Sequence, residues 1–205
     1  LVLWVSWIDD CLVLGSKEGV RTAKKQLMDR FDCDEVGNMD EYVGCKIERN
    51  YKEGWVKITQ PVLLQSYRDE FELPDGKNPT TPADTGQILM PCEEKDGMSL
   101  KGQTSYRSGV GKLLHMMRWS RPDILNAVRE LSKNMKVASE AHMKAMQCTM
   151  RHNLVTPERG LLLKPNNKWN GDPSDLFEIE GRSDADYATD TATKRSVSGN
   201  SVFLE

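Results

Sequence analysis

Asp9 and Asp10 are adjacent carboxylates set between two apolar runs, LVLWVSWI before them and CLVL after them. Two like charges this close repel, so at least one carboxyl resists ionisation unless a cation compensates. A divalent metal is the natural compensator. Mg²⁺ takes oxygen ligands and is often held by one or two carboxylates together with substrate phosphates. A metal pair on such a turn can activate a 3′-hydroxyl and stabilise a leaving pyrophosphate. The plainer reading is a polar hairpin turn, since Asp is common in turns. The apolar flanks argue against it, because an ordinary exposed hairpin alternates apolar and polar residues.

A second acidic group, Asp184 and Asp186, lies in Gly181-Arg182-Ser183-Asp184-Ala185-Asp186-Tyr187-Ala188. It directly follows a strand expected over 176–183. A strand-end Asp can be a metal ligand for phosphodiester hydrolysis; a solvated loop is the competing reading. His115, His142 and His152 have no ligand spacing to another His or Cys and read as surface or helix-packing residues. Met116, Met117, Met135, Met143, Met146 and Met150 read as core filler. The five cysteines form no CxxC pair, which points to reduced intracellular thiols rather than disulfides or zinc. There is no Gly-rich phosphate loop, nucleophile elbow or zinc motif.

The elements that must position these acids form an α+β pattern. LVLWVSWI and CLVLG read as two strands joined at Asp9-Asp10, apolar at nearly every position and so expected to be buried on both faces. Ser16 caps a helix through Phe31, with Val20, Ala23, Leu27 and Phe31 on one stripe. From Glu41 to Thr59 come two strands, with Val43, Cys45 and Ile47 alternating in the first and Val56 and Ile58 in the second. Pro61 suits the first turn of a short helix to Phe71. Residues 73–103 are a loop or linker rich in Pro, Gly, Asp and Thr. Three helices are expected over 104–119, from Arg121-Pro122-Asp123 onward, and over 139–154. Residues 165–175 read as a second break, followed by strands over 176–183 and 198–204.

At 205 residues the chain has room for one large domain or two small ones. Its 38% hydrophobic and 29% charged content is that of a foldable sequence. No apolar run approaches the roughly 18 residues that would span a membrane. The first fifteen residues carry Asp9 and Asp10 and lack a basic segment, unlike a signal peptide. The chain opens and closes inside expected strands, which reads as a fragment. The net charge of −3 argues against a general polyanion binder. However, residues 101–164 hold 12 Lys and Arg against 4 Asp and Glu. Such a stretch could track a phosphate backbone, or be an ordinary solvated helical surface.

The order of segments resembles the reverse transcriptase–RNase H region of copia-type LTR retrotransposon polyproteins, over essentially the whole chain. Trp7-Ile8-Asp9-Asp10 resembles the family's Tyr-Val-Asp-Asp polymerase box, with Trp in place of Tyr. Lys25-Gln26-Leu27-Met28-Asp29-Arg30-Phe31, Val36-Gly37 and the stretch from Tyr42 to Glu48 are similar to its continuing palm. Thr81-Pro82 matches a short linker signature. The stretches from Tyr106 to Leu114, from Ser120 to Ile124 and from His142 to Ala145 resemble the family's segments downstream of the palm. Ser183 to Ala188, with Lys194 to Gly199, looks like the opening of the RNase H domain.

The resemblance implies a partial reverse-transcriptase palm (an antiparallel sheet with helices) over 1–72 and the linker over 73–103. It places a basic helical thumb/connection region over 104–164, a linker over 165–175 and the first strands of an RNase H-like domain over 176–205. It implies RNA-templated DNA synthesis by two-metal nucleotidyl transfer with Mg²⁺ or Mn²⁺ in the intact enzyme. RNA template, RNA–DNA hybrid and deoxynucleotides would be the partners, with no membrane. The setting would be intracellular, a cytoplasmic particle or the nucleus. Asp9 is then the preferred direct metal ligand, Asp10 its partner and Asp184 the first RNase H metal ligand, with Asp186 a secondary candidate. The family's third polymerase carboxylate would lie upstream of Leu1 and the remaining RNase H acids beyond Glu205. The chain alone is therefore expected to be inactive. Arg151-His152-Asn153-Leu154 departs from the family's basic, aromatic helix end. The alternatives are a non-enzymatic nucleic-acid-binding relic of a retrotransposon, and an α+β domain whose acids serve only as turns.

Overall fold

The computed structural model describes residues 2–8, 10–37, 39–74, 76, 78–84, 89–164, 179–188, 190 and 193–204. Its described part is mixed α+β, with five α-helices and antiparallel sheets. Strand β1 (Val2–Trp7) pairs antiparallel with β2 (Asp10–Gly15), in a register running from Val2↔Gly15 to Trp7↔Asp10. Asp10 therefore opens β2, and Ile8 lies on the turn that follows β1. Ser16 then caps α1 (Lys17–Met28), its hydroxyl accepting the Gly19 N–H at 3.2 Å. Val20, Ala23 and Leu27 are half-buried on the stripe facing the hairpin.

The hairpin is less buried than its composition suggests. Every residue of β1 is exposed, and only Leu12 and Val13 of β2 are half-buried. The reason is topological. The two strands form a sheet of their own, which α1 can cover on one face only. Phe31 lies beyond the helix end and is also exposed.

The second sheet has the order β3 (Glu41–Tyr42), β4 (Cys45–Asn50), β5 (Trp55–Thr59), β6 (Leu161–Leu163), antiparallel throughout. What reads as one alternating strand from Val43 to Ile47 is broken at Val43-Gly44, which have φ of 51° and 70°. Two successive left-handed residues make the tight turn that returns a strand beside its neighbour. Strand β6 arrives about a hundred residues later, with Val56↔Leu163 and Ile58↔Leu161. Gly160 enters it against the Ile58 carbonyl, where a Cβ would collide with backbone.

Helix α2 (Pro61–Glu70) starts on Pro61, whose missing N–H costs nothing at a first helical position. It packs on α3 (Leu100–Trp119), which also carries α4 (Leu125–Ser132), and α5 (Glu140–Val155) contacts all three. A 3₁₀ turn, Pro122–Ile124, leads into α4. Tyr67, Tyr106, Val110, Leu131, Met146 and Met150 form the centre of this core. The buried methionines fill it, as their flexible side chains allow. The C-terminal pair, β7 (Ile179–Asp186) and β8 (Val197–Leu204), runs from Ile179↔Leu204 to Asp186↔Val197. The break expected over 165–175 and the start of the strand expected after it lie outside the described residues. Among the described residues, no helix is long and apolar enough to cross a membrane.

Candidate active site

The first acidic site is at the tip of the β1–β2 hairpin. Asp10 is exposed and sits directly across from Trp7. Asp9 lies outside the described residues. Ile8, on the turn, has φ 51° and is 87% exposed. A β-branched residue in the left-handed region is strained, and such strain persists only where the surroundings impose it. Among the described residues, a ring contact joins this tip to the helical body. Trp7 meets Trp119, the last residue of α3, edge to face with centroids 6.1 Å apart and an interplanar angle of 87°. His115, one turn earlier on α3, packs on the same Trp119 at 6.4 Å. Nothing in the sequence spacing joins Trp7 to Trp119, which are 112 positions apart.

The second acidic site is inside β7 rather than after it. The strand extends to Asp186 because β8 continues to pair with it, through Asp184↔Gly199 and Asp186↔Val197. Asp184 and Asp186 alternate with Ala185 and so share a face. Both are exposed, and Asp184 accepts the Ala185 N–H at 2.9 Å. Arg182, two residues earlier, is bound to Glu180 at 2.7 Å and covers the Phe203 ring. Asp10 and Asp184 thus stand on separate two-stranded sheets.

Carboxylate oxygens are the right donors for Mg²⁺. Among the described residues, however, no three His, Cys, Asp or Glu side chains converge as a ligand set. Asp10 and Asp184 therefore fit such a metal in kind but not in number.

The basic helical stretch divides into two sets of side chains. Arg107 donates to the Met135 and Lys136 carbonyls, and Lys112 to Glu70 and Ser66. Arg129 and Lys133 share Glu130, and Lys133 also reaches Asp190 at 2.8 Å. Arg121 is 3% exposed. It grips Asp123 with two bonds of 2.8 and 2.9 Å and donates to the Thr156 carbonyl and hydroxyl. Partial burial of Asp123 pushes its carboxyl up, but the Arg121 guanidinium outweighs this and holds it below its ordinary range. These cations are engaged within the chain, Arg121 in a buried site and the others in surface pairs that add little stability. Among the described residues, Lys101, Arg118, Lys136, Lys144, Arg159 and Lys164 of this stretch are exposed and open to an external anion, Arg159 with only a loose pairing to Asp123 at 3.7 Å.

His115 is on the surface, whereas His142 and His152 are 3% and 1% exposed. The Ser139–His142 spacing of a capping box is the signal that could have placed His142. The Arg-Pro-Asp spacing could likewise have marked the Arg121–Asp123 pair.

Among the relatives that align with nearly the whole chain are three transposon Pol polyproteins. The retrovirus-related Pol polyprotein from transposon TNT 1-94 of Nicotiana tabacum is 25% identical over 206 residues, covering 97% of this chain and 14% of that protein. Those from transposons RE2 and RE1 of Arabidopsis thaliana are each 26% identical, covering 100% of this chain and 13% of each protein. The chain therefore spans about one seventh of the length of these relatives. No family model matches the chain, and no solved structure matches it.

Proposed function

We propose that this chain, a homologue of transposon Pol polyproteins and a segment of a copia-type retrotransposon polyprotein, carries parts of its reverse transcriptase and RNase H. Residues 1–72 would end the palm, 104–164 would form the thumb and connection, and 176–205 would begin the RNase H-like domain. Residues 73–103 and 165–175 would link them. The observation that supports this best is the hairpin register. Trp7↔Asp10 pairing presents Asp10 at the exposed end of a two-stranded unit, and strands hold a site better than loops.

In this reading Asp9 and Asp10 contribute to the polymerase metal site, and Asp184 to that of RNase H. Bound Mg²⁺ would supply the charge that makes a 3′-hydroxyl nucleophilic and stabilises pyrophosphate. What the chain itself does is orient. The strands fix Asp10, and the Trp7–Trp119 contact ties that tip to α3. The exposed cations of α3 and α5, Lys101, Arg118 and Lys144, would track the phosphates of an RNA–DNA hybrid. Such contacts read A-form shape rather than sequence. In this reading the chain by itself binds an RNA–DNA hybrid through these cations.

The test is hybrid binding by the chain, monitored by fluorescence anisotropy as salt is raised from 50 to about 200 mM. Affinity that falls steeply with salt supports the reading. No binding at low salt, or binding that ignores salt, contradicts it.

A further inference from the structure

A cleft of about 620 Å³ lies between the β5–β6 edge of the second sheet, the Pro122 turn and the turn that enters β6. Neither Asp10 nor Asp184 lines it. Its volume is in the range of small-molecule sites. Trp55 and Lys57 alternate along β5 and so share one face. Lys57 stands opposite Leu162 of β6. Opposed residues share a face, so Leu162 and Lys164, two positions on, join them. Arg159 enters from the turn before β6, where its N–H donates to the Thr156 carbonyl at 3.1 Å. Pro122 adds an apolar wall from the 3₁₀ turn.

The lining carries acids as well, but most of them are already engaged. Glu53 accepts the Trp55 indole N–H at 2.9 Å. Asp123 is gripped by Arg121 through bonds of 2.8 and 2.9 Å. Among the described residues, Glu158 is the lining acid with no hydrogen bond or ion pair, and its charge bears on Lys46. The cations are the freer set. Among the described residues, neither Lys57 nor Lys164 makes a hydrogen bond or an ion pair. Glu48, whose charge Lys57 feels, is itself bonded to Lys46 at 2.8 Å. Arg159 is 59% exposed and stands 3.7 Å from Asp123. Two uncommitted lysines and a loosely held arginine thus outweigh one uncommitted acid, which favours an anion. The bond to Glu53 holds Trp55 by its edge, and an indole face stacks well on a flat ring. A guanidinium and two ammonium groups suit a phosphate.

We propose that this cleft binds a nucleotide unit, a flat base bearing a phosphate, either free or within a single strand. The base stacks on Trp55 beside Leu162 and Pro122, and Lys57, Arg159 and Lys164 receive the phosphate. A paired base is not available for such stacking, so a duplex does not fill the site. The inference goes beyond the proposed function and does not rest on it. It uses neither Asp10 nor Asp184, nor the α3 and α5 cations assigned to the hybrid.

The experiment is heteronuclear NMR of the full chain, following the Trp55 indole N–H and the Gly160 amide. The probes are AMP, an oligoadenylate strand, adenosine and inorganic phosphate. AMP should move both signals to saturation with a Kd of about 1 mM, the strength expected of one stacked base and one phosphate. Adenosine alone and phosphate alone should each bind at least about tenfold more weakly, since each offers half of the contacts. Lys57→Gln combined with Lys164→Gln should weaken AMP about tenfold while the Val110 amide stays in place. Oligoadenylate binding more than about tenfold tighter than AMP makes the site a strand site; equal affinity makes it a site for the free nucleotide. Three outcomes overturn the proposal: neither AMP nor the strand moves these signals, phosphate alone matches AMP, or the double variant binds as the native chain does. If that variant does not fold, the comparison of AMP with adenosine and phosphate on the native chain decides alone.

Discussion

Trp7 and Trp119 join the hairpin that carries Asp10 to the end of the longest helix, their rings edge to face at 6.1 Å. Edge-to-face pairs add about 0.5–1.5 kcal/mol beyond the area they bury. Trp7 is 48% exposed, which places its coupling at the lower end of that range. A double-mutant cycle with Trp7→Ala and Trp119→Ala, read by chemical denaturation, should give about 0.5 kcal/mol or slightly more. Strict additivity of the two variants would mean that the hairpin is held in some other way.

Asp123 should matter mainly through Arg121. Removing the carboxylate leaves a buried guanidinium with Thr156 as its hydrogen-bond partner among the described residues. Asp123→Asn should cost about 1–3 kcal/mol near pH 7, discounted from a fully buried pair because the Asp123 side chain is 39% exposed. The Asp123 pKa is lowered in the folded state. Its contribution is therefore fully present above its unfolded value of about 3.8 and lost as pH falls through the folded one. Denaturation of the two proteins from pH 7 to pH 2 should show curves that converge at the acid end. A constant gap down to pH 2 would show that the carboxylate charge is not what holds Arg121.

Much of the fold is readable from local signals. Ser16, Pro61 and Ser139 each mark the start of a helix that forms there, because caps and proline act within one turn. Strands β4 and β5 form where Cys45 and Ile47, and Val56 and Ile58, lead one to expect them. The misreadings arise where distant residues decide. Three residues are too few to announce β6, which exists because β5 offers it an edge. The apolar run of β1 suggests a buried strand, but burial depends on what covers the sheet, and here α1 covers one face. The turn at Val43-Gly44 hides behind an alternating pattern, since valine rarely adopts φ 51°. The acidic sites show the same division. The acids and their hairpins can be read from sequence, with Asp10 at a tip and Asp184 in a strand. The Trp119 contact that places the tip cannot.

Under the proposed function, Asp10 and Asp184 serve two different reactions. The direct measurement uses a polyprotein-length enzyme containing this segment, assayed for RNA-templated primer extension and for RNase H cleavage. Asp10→Asn should reduce extension more than about a hundredfold, beyond what an outer-shell change costs, and leave hybrid cleavage near the native rate. Asp184→Asn should do the reverse. Extension that survives in Asp10→Asn would contradict the proposed division of roles, as would both activities falling together in either variant.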